Sequence, residues 1–119
     1  MTLLSSTKAS IDRIEEISNT KPELIVAYAY TRFLADLFGG RTFFELFNKE
    51  YKIPHEGLNY YMFEDIPDMR MYAMTYAAKL NKINLPDECK EAFITEVNNA
   101  YIYNLAISNE LETKLYMSK

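Results

Sequence analysis

The sequence predicts an all-α fold. Long stretches repeat apolar residues at three-and-four spacing, the signature of helices with one buried face. Three Gly and four Pro in 119 residues leave little material for turns. Apolar residues at 49% and charged residues at 25% are an ordinary globular balance, and the length suits one domain over residues 1–119.

Residues 5–18, SSTKASIDRIEEIS, open with Ser/Thr caps and then place Ile11, Ile14 and Ile17 three apart, which predicts a short amphipathic helix. Asn19 to Pro22 breaks it, and Pro22 suits the first turn of the next helix. That central helix, 22–47, is apolar almost all round and is expected to be interrupted and kinked at Gly39-Gly40. Arg32, Asp36, Gly39, Gly40 and Phe43 share one of its faces, while Tyr30, Phe33, Leu34, Leu37 and Phe44 are expected in the core. Residues 51–65 carry two turn signals and the cluster Tyr60 to Phe63, which predicts an ordered but irregular connection held by aromatic burial. A third helix is expected from Pro67 to about Asn84, and Leu85-Pro86-Asp87 stops it and caps a fourth over 87–117. The fourth bears a broad stripe that includes Ala92, Phe93, Val97, Ala100, Tyr101, Asn104, Leu105 and Leu111.

Several classes of function are disfavoured. A net charge of −4, a pI near 5.0 and the lack of a basic cluster argue against nucleic acid. Arg32 and Asp36 divide the most apolar run, so no membrane span is expected, and the N-terminus does not read as a secretory signal. The expectation is a cytoplasmic protein. A single cysteine, Cys89, and a single histidine, His55 in a solvent-facing loop, do not make a metal site.

Arg32 and Asp36 admit two readings. As an i, i+4 ion pair on a helix surface they are worth a few tenths of a kcal/mol. Two glycines beside them cost the helix about 1 kcal/mol each relative to Ala unless something approaches the backbone closely. A flat ligand over that face is the natural reason.

The run LIVAYAYTRFLADLFGGRTFFE resembles the distal helix of the heme oxygenases. The similarity continues in register through NYYMFEDIPD, MTYAAKLNKINL and NNAYIYNLAISNELE, about residues 10–111. The resemblance implies an all-α protein that holds heme and, with dioxygen and electrons from a reductase, converts it to biliverdin, carbon monoxide and iron. It places the catalytic aspartate at Asp36, which orders water on the oxygen side of the heme. It puts Arg32, Tyr28 and Asn104 in the distal hydrogen-bond network, Tyr30 near the propionate edge, and Tyr101 in the pocket wall. Gly39 and Gly40 match the glycines that let the helix approach heme; Ala35 and Phe43 complete the heme-binding set. Ala35 stands where the family has a glycine, and Phe38 where it has a small residue. The basic residues that grip the propionates map to Ala73 and Ala77, with Arg70 one turn earlier as a substitute.

The family's iron-ligating histidine belongs to an early helix expected to precede these residues, and His55 does not match it. The chain therefore reads as an N-terminally truncated member, and no metal ligand is assigned. Either another polypeptide, a second copy or a tyrosinate completes the iron site, or the chain is an inactive remnant that serves as a heme-binding or interaction module. An uncovered apolar face predicts a homodimer.

Overall fold

The computed structural model describes residues 2–118, which form four α-helices and two 3-10 segments, with no strand among the described residues. They divide into two compact units, one holding the residues up to Thr31 and those from Pro86 on, the other running from Arg32 to Leu85.

In the first unit α1 (Ser5–Thr20) packs on α4 (Asp87–Met117), and a 3-10 turn, Pro22–Leu24, leads into α2 (Ile25–Lys49). Ile17, Leu24, Ala27 and Ala100 are buried. Of the three isoleucines expected on the inner face of α1, Ile17 is buried, Ile14 half-buried and Ile11 exposed. The Ser/Thr caps expected for α1 do not form: Leu4 is the cap residue and offers no side-chain bond. Instead Glu110 on α4 accepts from the Ser5 amide (3.1 Å), the Ser6 amide (2.8 Å) and the Ser6 hydroxyl (2.5 Å). A carboxylate at a helix start satisfies orphan N–H groups and complements the helix dipole, and here it comes from a distant helix. Nor does Asp87 cap α4. It is the first helical residue and pairs with Lys90 at 2.9 Å, while the carbonyl of Pro86 receives the first amides. The stripe on α4 is narrower than the pattern implied, since Tyr101, Asn104, Leu105 and Leu111 are exposed.

In the second unit α2 is an unbroken α-helix through Gly39-Gly40, contrary to the expected interruption. Neither glycine adopts a positive φ, so nothing in their backbone requires glycine. Leu37 is fully buried, and Phe33, Leu34 and Phe44 are half-buried, as is Tyr30 on the part of α2 that belongs to the first unit. Beyond the helix Lys52 turns the chain with φ 54°, the left-handed region, and Ile53 donates back to the Phe47 carbonyl at 3.2 Å. The connection expected to be irregular contains a 3-10 helix, His55–Tyr61, anchored by buried Leu58. Aromatic packing holds this unit together, with Phe33 meeting Phe63, Tyr72 and Tyr76 at 5.9–6.3 Å between ring centroids. Tyr60, expected in that buried cluster, is exposed. α3 is shorter than the pattern implied, spanning Met69–Asn81, because Asp68 rather than Pro67 sets its start by accepting from the Met71 amide at 2.8 Å. No helix among the described residues is long and apolar enough to cross a membrane.

Candidate functional site

The polar corner of the second unit is built on two adjacent turns of α2. Arg32 Nε lies 3.1 Å from Asp36 Oδ2, as i, i+4 spacing allows. A third member arrives from the end of the 3-10 helix: the Tyr60 hydroxyl donates to Asp36 Oδ2 at 2.7 Å and accepts from Arg32 Nη2 at 3.4 Å. The hydrogen bond to Tyr60 and the charge of Asp36 hold the Arg32 guanidinium above its ordinary pKa, against partial desolvation. Both partners converge on Oδ2, so Oδ1 retains its capacity to accept from a water or a ligand. A carboxylate fixed on one oxygen and free on the other suits the ordering of a water.

One turn further on, the two glycines differ. A Cβ on Gly40 would lie 3.4 Å from Tyr61 Cδ1 and 3.5 Å from Phe63 Cε2, so the close approach inferred from the sequence is made there by the protein's own rings. At Gly39 a Cβ would meet only Phe43 of the same helix, at 3.7 Å. Among the described residues no other side chain comes within 4 Å of that position. Beside it Phe38 and Phe43 keep 53% and 48% of their surface exposed, and Ala35 is exposed as well. Arg32, Asp36, Gly39 and Phe43 thus make a face that is polar at one end, apolar at the other and without a side chain between.

Tyr28, Tyr30, Tyr101 and Asn104 belong to the first unit. Tyr30 is half-buried on α2. Tyr101 and Asn104 stand exposed on α4 in the first unit. Within that unit Tyr28 donates its hydroxyl to Glu96 Oε2 at 3.0 Å. Glu96, on α4 and only 3% exposed, is gripped by Arg13 of α1 through Nη2 and Nε, and by Asn99 at 3.3 Å. Burial pushes the Glu96 carboxyl up, but the hydrogen bonds from Arg13, Asn99 and Tyr28 outweigh it and hold it below its ordinary value. Desolvation and the bond to Glu96 push the Tyr28 phenol up to about 12.

Two of these participants escaped the sequence reading. Glu96 interrupts the stripe Phe93, Val97, Ala100, and an acid inside an apolar stripe is a signal of a buried, paired charge. Tyr60 gave no such signal, because it sits in a run of aromatics that all read as core. His55 is exposed, as expected, with its ring against the edge of Phe44. Among the described residues no group of three or more His, Cys, Asp or Glu could hold a metal ion.

The described residues are all-α, with an aspartate one turn before paired glycines on α2. The profile of the heme oxygenase family, described as "Heme oxygenase", matches residues 1–110. The chain is 36% identical over 107 residues to heme oxygenase 2 of Macaca fascicularis, covering 88% of this chain and 34% of that protein. It is 38% identical over 109 residues to the heme oxygenase of Rhodella violacea, covering 91% and 46%. To heme oxygenase 1 of Synechocystis it is 33% identical over 108 residues, covering 91% and 45%. This chain belongs to the heme oxygenase family. It spans between about a third and just under half of the length of these relatives.

Proposed function

We propose that this chain supplies the distal side of a heme oxygenase, with heme lying over the face of Arg32, Asp36, Gly39 and Phe43. The observation that carries this reading is Gly39. A helix-interior glycine costs stability, the chain's own packing does not need it, and the space it leaves opens beside exposed Phe38 and Phe43. A flat apolar ring system with polar edges fits such a face. When bound, heme supplies the iron at which dioxygen reacts and is itself the molecule degraded.

The roles of the chain's own residues follow from their bonds. Tyr60 and Arg32 fix the Asp36 carboxylate through Oδ2. Asp36 Oδ1 accepts a hydrogen bond from water and so holds a proton donor at the distal face. Phe38 and Phe43 exclude bulk solvent from the ring system. Gly40 keeps α2 seated against Tyr61 and Phe63, so that the Gly39 face is presented on a rigid element. The same reading takes electrons from a reductase, places the chain in the cytoplasm, and covers its exposed apolar side chains with a second copy.

Heme titration of the full chain followed by absorbance tests the reading. The expected result is a saturable one-to-one Soret band and, on adding reductant and oxygen, conversion to a biliverdin spectrum. Asp36→Ala should abolish or divert the conversion while leaving heme affinity nearly intact. Absence of saturable binding refutes the reading for this chain, and unchanged turnover by Asp36→Ala refutes the role given to the carboxylate.

A further inference from the structure

A second concavity lies on another side of α2. It is a cleft of about 350 Å³ between the C-terminal half of the helix and the connection that follows, within the second unit. At about 100° per residue, Arg41 and Glu45 point about 140° and 180° away from Asp36 around the helix, so the cleft is separate from the Asp36 face. Its size falls within the range of small-molecule sites.

Its lining carries charge of both signs. Arg41 and Glu45 stand at i, i+4, the spacing at which Lys8–Asp12 and Arg32–Asp36 form ion pairs in this same chain. Arg41 and Glu45 both line the cleft, yet among the described residues neither is in an ion pair. Glu64 lines the cleft as well, likewise without an ion pair among the described residues. A cation and two carboxylates that border one cavity without neutralising each other leave both signs of charge available to an occupant. The lining also includes aromatic rings: Phe44, which meets the His55 ring at 5.1 Å between centroids, and Tyr61.

We propose that this cleft binds a small aromatic zwitterion of the aromatic amino acid class, its ring against Phe44 and Tyr61, its carboxylate on Arg41 and its ammonium between Glu45 and Glu64. Each part of the ligand answers one part of the wall. An aromatic acid lacking the amine meets two unanswered carboxylates, and an aromatic amine lacking the acid leaves Arg41 unanswered.

The chain has no tryptophan, so L-tryptophan excited beyond the tyrosine absorption reports its own binding through fluorescence anisotropy. The full chain should raise that anisotropy saturably, and amide shifts in an NMR titration should concentrate at the cleft residues. Arg41→Met and Glu45→Gln, both at exposed positions, should each weaken binding about tenfold with helicity unchanged, the value of one charge-assisted hydrogen bond. Tryptamine and indole-3-propionate should bind about tenfold more weakly than L-tryptophan. Equal binding of all three compounds overturns the zwitterion assignment; no saturable binding, or shifts centred elsewhere, overturns the site.

Discussion

Replacing Arg13 by alanine removes the main counter-charge of a carboxylate that is almost wholly out of water. Glu96 is 3% exposed, and Arg13 meets it with two nitrogens. Breaking a buried pair from one side costs about 3–5 kcal/mol. Arg13 keeps 30% of its side chain exposed, and Tyr28 and Asn99 still donate to the carboxylate, so the lower end applies, about 3 kcal/mol. For a domain whose whole stability is about 5–15 kcal/mol, that is a large share. The loss should depend on pH. In the wild type the Glu96 carboxyl sits below its ordinary value of 4.5, so its contribution is present above that pH and fades below it. In Arg13→Ala burial acts with less opposition, the folded-state pKa rises, and the variant loses stability as pH climbs through the carboxylate range. The gap between the two proteins therefore widens from acid to neutral pH. Urea unfolding followed by circular dichroism at a series of pH values measures it. A loss below about 1 kcal/mol at neutral pH, or a gap independent of pH, refutes the reasoning. The double replacement Arg13→Met with Glu96→Leu should recover most of the loss, because no charge is then left buried.

Three further outcomes follow from local geometry. Glu110 is drawn down to about 2, chiefly by the Ser6 hydroxyl and amide and further by the Ser5 amide, so its tie to α1 holds above the ordinary carboxylate value and is lost as pH falls towards 2. Glu110→Gln should unfold at higher pH than the wild type in an acid titration, and identical acid transitions count against the tie. Lys52 holds φ 54°, a conformation that costs a side-chain-bearing residue about 1 kcal/mol, so Lys52→Gly should raise stability by about that amount in urea unfolding; a loss contradicts it. Gly39→Ala places its methyl in ordinary contact with Phe43 and should stabilise α2 by about 1 kcal/mol, and destabilisation in the same assay shows that the glycine serves folding after all.

The helices were legible because their evidence is local. α2 and α4 follow from sustained periodicity, and the break before α4 from Leu85-Pro86-Asp87. What the sequence hid was interaction across distance. Ser5 and Ser6 look like caps of their own helix, but the group that satisfies this terminus is Glu110, more than a hundred residues later. Asp68 caps α3 although Pro67 beside it is the louder sequence signal. The Arg32–Asp36 pair was legible from spacing; Tyr60, which orients it, was not, since one aromatic in a run of four cannot be assigned to solvent or core by period. In the sequence the glycine pair looks like one feature, but its two halves do different work: a Cβ on Gly40 would press on Tyr61 and Phe63, whereas one on Gly39 would meet only Phe43 of the same helix.

The Gly39 position gives the most direct test. Gly39→Leu starts its side chain where a Cβ would meet only Phe43 of the same helix, and should fill the face proposed for heme. Heme titration of both proteins, read in the Soret band at matched helicity, should show saturable one-to-one binding by the wild type and affinity at least about tenfold weaker, or absent, in the variant. Equal binding by the two proteins contradicts the assignment of this face.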